Sequence, residues 1–310
     1  MTTQYSIDAP LKIGTRGSPL ALAQAHETRA RLMAAHNLPE AAFTIEVIQT
    51  TGDAVQDRPL SEIGGKGLFT KEIEQALLDR RIDIAVHSMK DVATVLPDGL
   101  VIDCTLPRED VRDAFISPKY KAIEDLPKGA VIGTSSLRRR AQLLSMRPDL
   151  KLVEFRGNVQ TRLKKLDDGV AVATFLACAG LQRLGNFDIA NPVSTYVMLP
   201  ACAQGAIGIE RRKDDEAAAL LLMAIHHAAT FTRISCERAF LKELDGSCRT
   251  PIGGLAELDG NNLRFLGEII RPDGSEVYSD IWRGQAKDAV EIGAAAGRDL
   301  RARGGEGFFA

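Results

Sequence analysis

The strongest constraint on this chain is a strand-to-helix punctuation that occurs twice. Leu11 to Thr15 is a short apolar run ending in Arg16-Gly17, after which Ser18 and Pro19 supply a hydroxyl cap and a first-turn proline. The helix they open runs through Leu22, Ala25, Arg29 and Leu32. Phe43, Ile45 and Val47 alternate as a second strand, and Ile82 to Val86 forms a third that delivers His87-Ser88-Met89-Lys90-Asp91 at its C-terminal end. After the polar break Pro107-Arg108-Glu109-Asp110 the rhythm restarts, with strands near Asp113 to Ile116, Val131 to Gly133 and Lys151 to Phe155. There Gly133-Thr134-Ser135-Ser136 opens a helix as Gly14-Thr15-Arg16-Gly17-Ser18 does in the first half. Apolar runs alternating with helices specify parallel α/β sheets, because each parallel strand needs a crossover long enough for a helix. The echo between the two turns predicts two lobes of similar build.

Gly205 to Glu210 reads as a strand that crosses back to the first lobe. Such a return predicts two similar doubly wound α/β lobes of periplasmic-binding-protein type. From Asp214 the pattern changes to helices over Ala217 to Ala229 and Phe231 to Leu244. Alternating strands follow near Leu255 to Leu258, Leu263 to Ile269 and Glu276 to Trp282, then a helix from Ala286 to Arg303. This is a smaller α+β C-terminal domain. The predicted division is 1–107 with 201–226 for the first lobe, 108–200 for the second and 227–310 for the last domain, which suits a chain of 310 residues.

Composition narrows the function classes. At 45% hydrophobic and 26% charged, with no apolar run long enough to span a bilayer, the sequence predicts a soluble protein without a membrane partner. Met1 to Pro10 lacks the basic-then-apolar order of a secretory signal, which favours the cytoplasm. Cys104, Cys178, Cys202, Cys236 and Cys248 are dispersed and contain no CxxC pair, so reduced thiols are expected and no metal site. His226-His227 reads as a packed pair and His87 as structural. Net charge is −2 and no stacking aromatics flank Arg138-Arg139-Arg140, which argues against nucleic acid.

The arginines point instead to a small anion. Arg138, Arg139 and Arg140 fall in the first turn of the helix opened by Ser136, where they oppose the helix dipole and one another. A bound polycarboxylate or phosphate would relieve both conflicts; the alternative is a basic face fanned into solvent. Arg156-Gly157-Asn158 repeats the geometry, with Arg162 in the next turn, and Arg16 with Ser18 offers it in the first lobe. All lie at the C-terminal edge of a sheet, where open α/β folds bind ligands, and guanidinium donates two parallel hydrogen bonds to carboxylate. Asp91, beside Lys90, is the acidic exception: a carboxylate that either stabilises a developing cation or simply caps the turn. The glycine-rich stretch Gly52 to Gly67 reads as a lid. Cys248 sits in a loop after Asp245-Gly246-Ser247 and before Arg249, a setting that favours a nucleophilic thiolate.

These segments together resemble the porphobilinogen deaminase family, with matches across almost the whole chain. They are Gly14-Thr15-Arg16-Gly17-Ser18-Pro19-Leu20-Ala21, Gly64-Gly65-Lys66-Gly67-Leu68-Phe69, Ala85-Val86-His87-Ser88-Met89-Lys90-Asp91, Gly133 to Arg139 and Arg156-Gly157-Asn158. Ala179-Gly180-Leu181-Gln182-Arg183-Leu184-Gly185 and Gly246-Ser247-Cys248-Arg249-Thr250-Pro251-Ile252-Gly253 complete the set. The resemblance implies a monomeric transferase that holds a dipyrromethane cofactor through a thioether to Cys248. It would add four porphobilinogen units with loss of ammonia and release hydroxymethylbilane for tetrapyrrole, porphyrin and haem biosynthesis. It further implies that Asp91 is catalytic, holding pyrrole N–H groups and stabilising the azafulvene cation. Lys90, Ser136, Arg138 and Arg139 would hold cofactor carboxylates, Arg16, Ser18, Gln24, Arg156, Arg162 and Arg183 would line the substrate cleft, and Lys66 and Phe69 would belong to the lid.

Three positions depart from the commonest family pattern: Ala93 where proline often follows Asp91-Val92, Cys202-Ala203 in place of Val-Gly, and Ser247 in place of a second glycine. None removes a group with a chemical role. A two-lobed anion-binding protein is the rival reading of the first two lobes, and the C-terminal domain with Cys248 argues against it.

Overall fold

A computed structural model describes residues 5–54, 69–246 and 250–309. Lys66, with most of the expected lid, and Cys248 lie outside them.

Residues 5–54, 69–109 and 206–231 form one compact unit. Its opening strand, β1 (Leu11–Thr15), runs into α1 (Pro19–His36), and β2 (Phe43–Val47) and a single helical turn, α2 (Thr51–Ala54), follow. The Ser18 hydroxyl accepts from the Ala21 amide at 3.3 Å, and Pro19 occupies the first helical position, where no amide hydrogen is needed. Ala21, Ala25, Thr28 and Leu32 form the buried stripe of α1, and Asn37 ends it in the left-handed region at φ 52°. After α3 (Lys71–Leu78) come β3 (Ile84–Ser88), a tight turn over Met89–Asp91 and β4 (Leu100–Thr105).

The second unit holds 110–205, 232–246 and 250–309. It starts with β5 (Asp113–Ile116), β6 (Val131–Gly133), α4 (Leu137–Met146), β7 (Lys151–Val153), α5 (Val159–Asp167), β8 (Ala173–Ala177), α6 (Cys178–Arg183) and the two-residue β9 (Asn191–Pro192). The chain then contributes β10 (Ile207–Arg212) to the first unit's sheet. That sheet has the order β2-β1-β3-β10-β4 and the other β7-β6-β8-β5-β9, so one plan is used twice. In each, the strand feeding the capped helix pairs in parallel with two neighbours, and an antiparallel strand brought in from elsewhere in the chain sits fourth. Two similar lobes and a returning strand are thus both present.

The helix expected over Ala217 to Ala229 is broken. α7 (Glu216–Met223) stops, and α8 (Ala228–Glu243) begins after His226-His227. The break is stabilised as a helix start, because the Thr230 amide donates to His227 Nδ1 at 3.3 Å, the work usually done by a capping oxygen. β11 (Ile252–Asp259), β12 (Asn262–Ile270) and β13 (Val277–Gln285) form an antiparallel meander, and α8 with α9 (Ala289–Gly304) covers one face of it. Leu263, Phe265 and Ile269 alternate inward from β12. Gly293 lets the two helices touch, since a Cβ there would stand 2.0 Å from the Cys236 carbonyl oxygen. No single helix among the described residues is long and apolar enough to cross a membrane.

Candidate active site

In the first unit the ends of β1 and β3 bring the predicted residues together. Arg16 leaves β1 and its Nη1 lies 3.9 Å from an Asp91 oxygen, with both side chains partly exposed. The Arg16 guanidinium also stacks on Phe69, 4.1 Å from the ring centroid, which adds a cation–π contact to the charge pair. Lys90 is half-buried on the same short turn as Asp91. Gln24 is buried and engaged with the strand end: its Nε2 donates to Ser88 Oγ at 2.8 Å, and that hydroxyl donates to Gln24 Oε1 at 3.1 Å. The Ser18 hydroxyl is the cap of α1. Sequence reasoning treated Phe69 as a lid residue and Arg16 as a cleft residue. The fold sets Arg16 beside Asp91 and Phe69 against Arg16.

In the second unit the outcome is less direct. Ser136 caps α4 by accepting from the Arg139 amide at 3.4 Å. Arg138 and Arg139 are only 4% and 5% exposed and both reach Asp113, which is fully buried at the head of β5. Arg139 donates to Asp113 Oδ1 through Nε at 3.0 Å and Nη2 at 2.5 Å, and to the Phe175 carbonyl at 2.7 Å. Arg138 pairs with Asp113 Oδ2 at 2.8 Å and donates to the Leu199 carbonyl at 2.7 Å and to Gln142 at 3.0 Å. Gln204 adds a further donor to Asp113 at 3.1 Å. Burial alone would raise the Asp113 carboxyl, but the two guanidiniums hold it down to about 2. The conflict expected among adjacent arginines in a helix's first turn is therefore relieved largely by a carboxylate of the chain itself.

The basic edge continues at the start of α5. Asn158 caps α5 by accepting from the Thr161 amide at 2.9 Å, and Arg162 Nε donates to the Gly157 carbonyl at 2.9 Å. Desolvation first, then the guanidiniums of Arg139 and Arg156, pushes Arg162 down to about 10. Arg139 and Arg156 thus repel Arg162, Glu154 offsets part of that, and a ligand carboxylate would lower what remains. Arg183, at the end of α6, donates from both terminal nitrogens to the Gly205 carbonyl at 3.3 Å.

Asp113 is the residue that sequence reasoning missed, read only as the start of a strand. A carboxylate heading the apolar run Asp-Ala-Phe-Ile was the signal that could have found it, because a buried acid requires a cation. Cys104, Cys178 and Cys236 are buried free thiols, Cys202 is buried as well, and burial pushes Cys104 and Cys178 up to about 12. Among the described residues no group of His, Cys, Asp or Glu is arranged to hold a metal ion.

Known proteins agree on one family. Residues 11–219 match the model of the porphobilinogen deaminase dipyrromethane cofactor-binding domain, and 231–302 match that of the porphobilinogen deaminase C-terminal domain. A curated porphobilinogen deaminase of Paracoccus denitrificans is 64% identical over 310 residues, covering 100% of this chain and 99% of its own. Its counterpart in Nitrobacter winogradskyi is 54% identical over 310 residues, covering 100% and 98%. Among solved structures, a periplasmic substrate-binding protein of an ABC transporter from Coxiella burnetii has a TM-score of 0.43 at 15% identity, covering 74% of this chain and 96% of its own.

Proposed function

The chain belongs to the porphobilinogen deaminase family, and from that premise we propose how its residues divide the work. The enzyme deaminates porphobilinogen, joins the units head to tail on a dipyrromethane cofactor and releases hydroxymethylbilane. The observation that carries the assignment of roles is Arg16, which follows β1 and meets both Asp91, just after β3, and the Phe69 ring.

Loss of ammonia from the aminomethyl group leaves positive charge on the substrate pyrrole, and Asp91 is the carboxylate placed to offset it while accepting the ring N–H. Arg16 answers a substrate carboxylate and, paired with Asp91, keeps that carboxylate oriented. Phe69 covers Arg16 and limits water there. Ser18, Gln24, Arg156, Arg162 and Arg183 line the path of the growing chain. Each added unit brings further carboxylates, so a surface whose guanidiniums already repel one another gains most from binding it.

Cys248 holds the dipyrromethane through a thioether, and Lys90, Ser136, Arg138 and Arg139 hold its carboxylates. The basic edge that depresses Arg162 fits a group carrying several carboxylates. Arg138 and Arg139 already share Asp113, so their part is the positive charge that two guanidiniums retain against one carboxylate. When bound, the cofactor supplies the free pyrrole carbon on which the chain is built. We also read the enzyme as a cytoplasmic monomer, in keeping with its thiols.

Two measurements test this reading. Intact-mass analysis of protein made in a pathway-competent host should give the mass of the chain plus a dipyrromethane, and Cys248→Ala should remove the increment. Active enzyme of bare sequence mass, with a freely alkylatable Cys248, would refute the anchor. Asp91→Asn should fold normally and lose turnover by roughly 100-fold or more, the scale of removing one preorganised charge from a transition state.

A further inference from the structure

His87 and Glu210 take no part in the roles assigned above, yet they form a buried pair directly beneath the catalytic turn. His87 Nε2 lies 2.9 Å from Glu210 Oε2, with the side chains 4% and 0% exposed. The other Glu210 oxygen is buried without a hydrogen-bond partner among the described residues. Taking two ionisable groups out of water is costly, and packed apolar side chains would join two strands at less expense. An ionisable pair set in such a place specifies geometry more than it adds stability.

The geometry concerned is the end of β3. β10 runs antiparallel to it, with Gly208 opposite His87 and Ile207 opposite Ser88. The Met89 amide donates to the Ala206 carbonyl at 3.0 Å, and the Val92 amide closes the turn onto the Met89 carbonyl at 3.3 Å. Met89 is buried so tightly over Gly208 that a Cβ there would stand 1.9 Å from its sulfur. From the other side α3 contributes Glu74, whose carboxyl is raised chiefly by burial and further by the Glu210 carboxylate, with His87 acting in the opposite sense. The pair is thus enclosed by β3, β10 and α3, and Asp91 lies at the far end of the turn that β10 templates.

We propose that His87 and Glu210 are positioning residues for the reaction: their buried contact sets β3 against β10 and so places the Asp91 carboxylate opposite Arg16. This rests on the reading of Asp91 as the catalytic carboxylate. Glu210→Gln keeps the size of the side chain and its capacity to bond the imidazole, and removes only the charge.

The test compares wild type, E210Q, D91N and the D91N/E210Q double variant as full-length, cofactor-loaded enzyme, at a temperature well below every unfolding midpoint. E210Q is expected to lower kcat about tenfold or more while KM for porphobilinogen stays within about twofold, because the group acts on the transition state only through Asp91. In the D91N background the same substitution should cost nothing further, since two residues acting through one group are not additive. A merely structural Glu210 would lower the unfolding midpoint and leave kcat alone, or would cost the same factor in both backgrounds; either result overturns the proposal. Should E210Q fail to fold, His87→Gln, which alters the other partner of the pair, carries the same comparison. If D91N retains wild-type turnover, the catalytic assignment of Asp91 fails and this inference with it. If D91N loses turnover beside an unaffected E210Q, only the positioning role fails.

Discussion

Asp113→Asn is the most informative test of the second unit. The substitution keeps the shape of the side chain and removes the one charge that Arg138 and Arg139 share. Two routes give its size. Breaking a buried ion pair by removing one partner costs about 3–5 kcal/mol, because the other charge stays buried and unpaired. Alternatively, a carboxyl held at about 2 in the folded chain, against about 3.9 when unfolded, contributes about 2–3 kcal/mol at neutral pH. The first figure is larger because it includes the two stranded guanidiniums. The sign follows from a depressed value: the contribution is complete above the unfolded pKa and disappears as pH falls through the folded one. Wild type should therefore lose this increment between about pH 4 and pH 2, whereas the variant lacks it at every pH. Urea unfolding followed by circular dichroism should show the midpoint falling with the slope unchanged, and thermal unfolding a drop of roughly 6–20 °C. A loss below about 1 kcal/mol at pH 7, or a deficit that does not shrink on acidification, would refute the argument.

Arg156→Leu should permit early additions and stall later ones, because the anionic chain lengthens while a fixed cation is missing; mass spectrometry of the covalent intermediates reads this directly. Equal loss at every step would mean that Arg156 binds incoming monomer instead. Ala203 holds φ 61°, where an L side chain is strained, and its amide donates to the buried Glu237 at 2.6 Å. Ala203→Gly should relieve that strain and, after the added freedom of the unfolded chain, stabilise by about 0.5–1 kcal/mol in urea unfolding. A clear destabilisation would show that the Ala203 methyl contributes packing that outweighs the backbone.

The amino-acid order alone determined the features that depend on neighbours a few residues away. Ser18, Ser136 and Asn158 each accept from the amide three residues on, and the strands that feed those caps stand where apolar runs end in glycine or serine. The C-terminal meander was equally legible, since alternating burial is written in every second residue of β12. Two helices are expected ahead of it, but with the break at 230 rather than before Ala228, because the alanines on both sides of His226-His227 favour helix and the Thr230 amide on His227 marks the start of the second one.

Tertiary structure decided which charges meet. Asp113 and Arg139 are 26 positions apart, Gln24 and Ser88 are 64, and His87 and Glu210 are 123, so no local pattern links them. Reading α4 by itself put Arg138 and Arg139 before a ligand, because β5 cannot be seen from within a helix turn. Once β5 packs beside it, water is excluded and a buried carboxylate must find the nearest guanidiniums. Local bonding needs only the chain's own covalent neighbourhood, whereas the cost of a charge depends on everything that surrounds it after folding.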